Sequence, residues 1–251
     1  MKIPLSVVIP TFNEAENIAS CLESVKNFAN EILVLDNFSQ DGTPELARTM
    51  EATVHQRHFD NFSANKNAAI ELAGSDWIFI LDADERFTPD LRNEIESVLA
   101  SPKNDAYTVK RDTYFCGRKV RCWSGKSVVR LFRKEKAAYD PSKLVHEELI
   151  VRGTVGALHQ PLDHHTFRSF EQYLSKIENF TSLAAREAFQ RGKRATWFSL
   201  IFYPPFRFLK TYFVRGGILD GIPGLLIAGL SAYSVFLKFA KLWELQQQRQ
   251  G

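Results

Sequence analysis

Asp82 and Asp84 flank Ala83 directly behind the apolar run Trp77-Ile78-Phe79-Ile80-Leu81 and ahead of Glu85-Arg86. Two carboxylates at i and i+2, at the end of a buried strand, can share a cleft that suits a hard divalent cation, Mg²⁺ or Mn²⁺ rather than Zn²⁺. Pro10-Thr11-Phe12-Asn13-Glu14 and Leu35-Asp36-Asn37-Phe38-Ser39-Gln40-Asp41-Gly42-Thr43 each close an apolar strand of their own. Polar loops at carboxyl-end strand edges are where open α/β sheets bind ligands. A diphosphate-linked ligand needs a cation to neutralise it, and Asp82 and Asp84 can divide the work of holding ribose hydroxyls and ligating that ion. Asp36 is placed to accept from the imide N–H of a uracil-like base, or to serve as a turn carboxylate, a role that Ser39 and Asp41 fit better. Thr11, Asn13 and Glu14 offer polar contacts to base and ribose, and Lys66 and Asn67 face either the nucleotide or solvent. Neither GxGxxG nor GxxxxGK[ST] occurs, so the phosphate loops of dinucleotide-binding and P-loop proteins are missing.

The elements that must position these residues alternate. Strands are expected over 5–9, 32–35, 53–55 and 77–81, with helices over 15–28, 41–50 and 63–72, which is the pattern of a mostly parallel sheet. Thr88-Pro89 opens a helix carrying Leu91, Ile95, Val98 and Leu99, and 106–110 and 127–132 read as strands. Residues 111–126 form a loop or hairpin in which Tyr114 and Trp123 either pack or stack on a sugar. Arg130 and Arg133 alternate about an apolar strand, exposed or meeting a phosphate. Over 167–189, Phe167, Phe170, Leu174, Ile177, Phe180 and Leu183 fall along one helical face.

From Ala195 the chain changes character: Trp197, Phe198, Phe202, Phe206 and Phe213 are interspersed with Arg207, Lys210 and Arg215. Rings at headgroup depth with cations toward anionic lipid describe an interfacial helix; a soluble helical appendage or a dimer face is the alternative. The apolar stretch Ile222 to Leu237, with Pro223, Gly224 and Gly229, falls short of the roughly 20 residues a span requires, so it is expected to lie in one leaflet.

The 251 residues, 45% hydrophobic, suffice for a large α/β domain and an appendage, and a formal charge of +3 is too mild for a nucleic-acid protein. Cys21, Cys116 and Cys122 have no CxxC spacing and read as thiols. The Pro-interrupted start is unlike a signal peptide, and a cytoplasmic setting follows as an expectation.

Residues 6–14, the Asp36 to Thr43 loop and Asp82-Ala83-Asp84 resemble the nucleotide-binding half of the family 2 inverting glycosyltransferases of the GT-A fold. Leu144-Val145-His146-Glu147-Glu148-Leu149, Asp163-His164-His165 and the aromatic C-terminus are similar to the lipopolysaccharide core β-glucosyltransferase branch. The resemblance implies a mixed, mostly parallel sheet with helices on both faces. It implies a catalytic domain over 1–165, with a nucleotide-sugar half to residue 100 and an acceptor half beyond it, then a helical membrane-association region over 166–251. Asp36 would meet the nucleobase, Asp82 the ribose and metal, and Asp84 the metal and diphosphate. Pro10, Thr11, Asn13, Glu14, Lys66 and Ala83 would line the nucleotide. Glu147 would be the base that deprotonates the acceptor, with Glu148 the fallback, and His164 or His165 would reach the metal or diphosphate or else cap the next helix. The Glu-Asp-x-Asp base motif of many members is missing.

The activity so implied is Mg²⁺- or Mn²⁺-dependent, inverting transfer of a hexose from a nucleotide sugar, UDP-linked by expectation, to a glycolipid or lipid-linked acceptor. The enzyme would sit on the inner face of the cell membrane through its C-terminal helices, with oligomeric state open. Transfer to a polyprenyl phosphate is the rival within the enzyme class. A catalytically silent nucleotide-sugar-binding membrane protein is the rival outside it.

Overall fold

The computed structural model describes residues 2–125, 127–141, 149–167 and 169–248. The chain divides into two compact units, one formed by Met1–Arg111 and Gly125–His164, the other by Asp112–Ser124 and His165–Gly251.

The first unit opens with β1 (Ile3–Thr11), α1 (Ala15–Val25), β2 (Ala29–Asp36), α2 (Thr43–Thr49), β3 (Thr53–Gln56), α3 (Phe62–Leu72) and β4 (Trp77–Ile80). β1 pairs in parallel with both β2 and β4, and β2 with β3, so their carboxyl ends share one edge. β5 (Glu85–Arg86) and α4 (Pro89–Ala100) follow, then β6 (Ala106–Phe115), β7 (Arg118–Val120), β8 (Ser127–Arg133), β9 (Ala137–Tyr139), β10 (Leu149–Val151), β11 (Val155–Ala157) and β12 (Leu162–Phe167). The sheet order is β3-β2-β1-β4-β8-β6-β12-β5, and β8 runs antiparallel to β4 with Phe79 opposite Leu131.

All four residues of β4 are buried, as a strand covered on both faces requires. Side chains alternate across the sheet. Leu5, Val7, Ile9 and Phe79 therefore pack with Ile18, Leu22 and Leu91 on one side, while Val8, Ile78 and Ile80 pack with Ala69 and Ile70 on the other. Each such side chain contributes roughly 1.5–3 kcal/mol when fully buried. Helix starts are set by local chemistry: Asn61 accepts from Ala64 N–H at 2.9 Å, and Thr88 from Leu91 N–H at 3.1 Å. Gly42, at φ +86°, supplies the left-handed residue ahead of α2.

The second unit contains the β6–β7 hairpin end, α5 (Phe170–Gln190), α6 (Trp197–Ile201), α7 (Tyr203–Leu209) and α8 (Ile222–Gln248). Phe115, Val120 and Cys122 pack with Phe167, Tyr173, Ile177, Ile227 and Leu230, and Trp123 lies edge-on to Tyr173 at 5.6 Å. Asp220 accepts from the Arg121 and Cys122 N–H groups at 2.9 and 3.0 Å, tying the hairpin to the helices. α8 approaches the turn before it so closely that a Cβ on Gly224 would fall 1.8 Å from the Gly217 carbonyl oxygen.

Two expectations for this region change. Phe167 ends β12 instead of opening a helix, and α5 does not bury its large apolar stripe: Phe170, Leu174, Phe180 and Leu183 are exposed, while Tyr173, Ile177, Thr181, Ala185 and Ala188 are covered. In the second half of the helix the covered residues Thr181, Ala185 and Ala188 are small, and the large Phe180 and Leu183 stand outside. The stretch Ile222 to Leu237 is also only the first part of a 27-residue helix with mean hydropathy 1.6 over its most apolar window, so length does not argue against a span.

Candidate active site

The β1 and β2 loops are laced to one another. Asn13, in the left-handed region at φ 55°, donates its N–H to Ser39 Oγ at 2.8 Å and accepts from Gln40 N–H at 3.0 Å. Glu14 N–H donates to Thr43 Oγ1 at 2.8 Å, and Ala15 N–H to Asp41 Oδ2 at 2.9 Å, so the neighbouring loop caps α1 from outside. Burial raises the Asp41 carboxyl, but donors from Thr43 and Ala15 outweigh it and leave Asp41 below the usual carboxylate range.

Asp36 is wholly buried at the centre of this lacing. It accepts from Ser39 N–H at 3.0 Å, Gln56 Nε2 at 3.2 Å, Thr11 Oγ1 at 3.3 Å and the Ser39 hydroxyl. Both oxygens are therefore supplied with donors by the chain itself. Asn37 and Asn65 exchange amide hydrogen bonds at 2.8 and 3.0 Å, which fixes α3 beside the β2 end. This sets Lys66 on the next helical position, nearly buried, with Nζ 3.8 Å from Asp82 Oδ1 and 5.3 Å from the Tyr139 ring centroid.

The turn after β4 is closed by reciprocal bonds: Asp82 N–H donates to Glu85 Oε2 at 3.0 Å, and Glu85 N–H to the Asp82 carbonyl at 2.9 Å. Ala83 is buried. The buried Arg130 guanidinium on β8 donates to Asp82 Oδ2 and, at 2.7 Å, to Glu85 Oε1, with Arg111 Nη1 3.5 Å from the same oxygen. Burial opposes the charge on Asp82, yet Arg130 and then Lys66 hold its carboxyl well below the usual range. Glu85, 0% exposed, goes the other way, because burial raises it and Arg130 only partly offsets that.

Asp84 meets a different partner. β12 pairs with β5 so that His164 stands opposite Glu85, and His164 Nε2 lies 3.4 Å from Asp84 Oδ2. His165 projects from the other side of the strand and stacks on Tyr114 at 4.7 Å. The structure thus separates the two histidines: one sits with the acidic turn, the other in an aromatic pair. Arg133 covers the Trp77 ring at 4.7 Å and belongs to packing. Glu147, Glu148 and His146 lie outside the described residues.

Residues 6–151 match the sequence model of Glycosyl transferase family 2. The chain belongs to this family. Among its relatives, the lipopolysaccharide core biosynthesis glycosyltransferase LpsC of Rhizobium meliloti is 32% identical, covering 97% of this chain and 93% of LpsC. An uncharacterized glycosyltransferase of Rickettsia typhi is 30% identical over 96% of this chain and 87% of its own length. The crystal structure of S. aureus TarS 1-349 has the same fold, with a TM-score of 0.52 at 13% identity over 99% of this chain and 92% of that one. The protein is therefore a family 2 glycosyltransferase with the GT-A-like sheet that its motifs imply.

Membership does not by itself explain Glu85 and Arg130, whose pairing the sequence reading missed. Glu85 directly follows the acidic pair, and Arg130 sits within an apolar strand that buries Leu131 and Phe132 beside it. A charge in such a strand calls for a buried partner. Which partner it finds depends on the β4–β8 register.

Proposed function

We propose that this glycosyltransferase moves a hexose from a UDP-linked donor to a glycolipid acceptor at a membrane surface, with inversion and with a divalent cation. The observation that carries the reading is the division of labour in the acidic turn. Asp82 is held by Arg130 and Lys66, which suits a fixed acceptor for ribose hydroxyls, while Asp84 stands with His164 at the edge of the sheet. Carboxylate oxygens with one imidazole suit Mg²⁺ or Mn²⁺. Among the described residues no three His, Cys, Asp or Glu side chains group to hold one ion, so Asp84 and His164 would leave the remaining positions to donor phosphate oxygens and water. A bound cation would supply neutralisation of the diphosphate as it leaves.

The chain's own residues do the rest. Asp36 serves the base indirectly, by fixing Thr11 and Ser39 in the loop that receives it, and Pro10, Asn13 and Glu14 complete that wall. Ala83 keeps the turn close to β4. The acceptor hydroxyl oxygen forms the new bond to the anomeric carbon from the face opposite UDP, the bond to the diphosphate oxygen breaks with its electron pair going to UDP, and the hydroxyl proton passes to Glu147, or to Glu148 in its place. TarS has been solved with UDP and with UDP-GlcNAc, and LpsC is named for lipopolysaccharide core biosynthesis; both accord with this donor and acceptor class. The exposed apolar surface of the second unit supplies the membrane side of the reading.

The test is a donor-panel transfer assay on the full chain with a glycolipid acceptor. Loss of transfer in Asp84→Ala and in chelator, with recovery on Mn²⁺, supports the reading; undiminished turnover in chelator removes the metal from it. Glu147→Gln and Glu148→Gln assign the base, and normal transfer in the double variant would point to a phosphate acceptor.

A further inference from the structure

α8 is long and apolar enough to cross a bilayer, yet its two sides differ. Ile222, Leu226, Tyr233, Phe236 and Trp243, with Gly229 and Ala240 in the gaps, follow one another at steps of three and four. The large side chains are exposed except on that count alone: Ile222, Leu226, Tyr233, Phe236 and Trp243 all face outward, while Ile227, Leu230, Ser231 and Leu242 on the other side are buried. The outward stripe runs about 30 Å without a charge.

α5 accounts for the covered side along most of this length. The Tyr173 hydroxyl hydrogen-bonds the Ser231 side chain, Ile177 packs with Ile227 and Leu230, and Ala185 and Ala188 pack with Leu242, so the two helices run side by side in the same direction. Lys241 Nζ donates to the Glu178 carbonyl at 2.8 Å, to Ser182 Oγ at 2.7 Å and to Thr181 Oγ1 at 3.1 Å. α5 also carries Glu171, Glu178 and Arg186 exposed, and the Glu187–Arg191 ion pair at its end. A spanning α8 would draw this charged helix and Lys241 into hydrocarbon, where ionised side chains are costly. A helix laid along the surface keeps them in water.

Two occupants fit an uncharged stripe of this spacing, a second copy through paired α8 helices or a lipid leaflet. Charge separates them. Residues 193–241 hold seven Lys and Arg against one carboxylate, Asp220, which is engaged with the Arg121 and Cys122 N–H groups. Of these cations Lys193, Arg194, Lys210 and Arg215 are exposed. A symmetric contact would set the excess against itself, whereas an anionic leaflet neutralises it.

We infer that α8 lies lengthwise on an anionic bilayer leaflet, with the stripe from Ile222 to Trp243 in the boundary between headgroups and acyl chains, α5 toward water and both helix ends on the same side. This rests on the membrane reading above and deepens it from general attachment to one face and one orientation.

The experiment places single cysteines in the full chain carrying Cys116→Ser, which removes the exposed native thiol. Gln247→Cys, at the exposed end of α8, is expected to react with a membrane-impermeant maleimide in inverted inner-membrane vesicles as fully as Glu96→Cys on the surface of α4, with no gain on adding detergent. Protection of Gln247→Cys alone until detergent is added means a span, and overturns the orientation while attachment stands. Flotation with phosphatidylglycerol–phosphatidylcholine vesicles tests the stripe: Phe236→Ser/Trp243→Ser is expected to float about tenfold less than the wild type, with lipid-free melting unchanged. Should that pair melt early, Leu226→Gln carries the same expectation at about threefold. Undiminished flotation of these variants overturns the stripe as the lipid contact. A wild-type dimer in lipid-free sedimentation that Phe236→Ser/Trp243→Ser converts to monomer, with flotation unchanged, assigns the stripe to a second copy and overturns the inference. Failure of the wild type to float or to fractionate with membranes overturns both the orientation and the attachment it rests on.

Discussion

The two units treat charge and apolar surface in opposite ways. In the first, charges are drawn inward and paired: Arg130 and Glu85 are both buried, while Leu5, Ile9, Phe79 and Leu131 are fully covered. In the second, Tyr173, Ile177, Thr181, Ala185 and Ala188 of α5 are covered while Trp197, Phe198, Phe206, Val214 and Leu219 stand exposed, Trp197 by 82%. So many exposed large apolar side chains on one unit are unusual for a surface that meets only water. The contrast is the observation on which the proposed attachment of the second unit to a membrane rests.

The comparison is most easily broken at the acidic turn. Asp84→Ala is expected to lower transfer by about 10²–10³-fold, the scale of losing one preorganised electrostatic contact, with the circular dichroism spectrum unchanged. A smaller loss would mean that Asp84 lies outside the chemistry. Arg130→Met should cost about 3–5 kcal/mol in urea unfolding, because it strands Asp82 and Glu85 without their shared cation. If the cost is under about 1 kcal/mol, the charges of the first unit are not held as an interior pair, and the contrast with the second unit weakens.

Acid titration sharpens the same point. Asp82 has a depressed folded pKa, so the unfolded chain takes up its proton first as pH falls. Its contribution is complete above the ordinary carboxylate value, roughly 3.9, and is lost as pH drops below it toward the folded value. Glu85 has the opposite sign, since its raised pKa makes stability fall as pH rises through that value. Asp82→Asn is therefore expected to flatten the acid limb of the urea midpoint below about pH 4, and an unchanged limb would show that Asp82 is not held by Arg130. The smallest effect belongs to the second unit. Phe206→Ser should change lipid-free stability by no more than about 0.5 kcal/mol, as for an exposed residue, while lowering vesicle partition about tenfold. Marked destabilisation without lipid would mean that the ring packs on protein.

Much of the first unit was legible from local pattern. The runs 5–9, 32–35 and 77–81 lie inside β1, β2 and across β4, and Thr88-Pro89 does open α4, because alternation and capping depend on near neighbours alone. The stripe of α5 misled, since helical spacing identifies a face without saying which face is covered by the rest of the chain and which is left exposed. His164 and His165 could not be separated until β12 was paired with β5, and Arg130 could not be matched to Glu85 until β8 was placed antiparallel beside β4.

Residue order alone determined where strands end in carboxylates, where helices begin, and that a polar first part is followed by an aromatic, cationic one, for these are properties of neighbours along the chain. Only the tertiary structure decided that Asp82 is clamped while Asp84 stands with a histidine, and that the aromatic residues near Arg207 face outward. Pairing across distant strands and the solvent a helix face meets are set by contacts between segments far apart in sequence, whose energies no local spacing records.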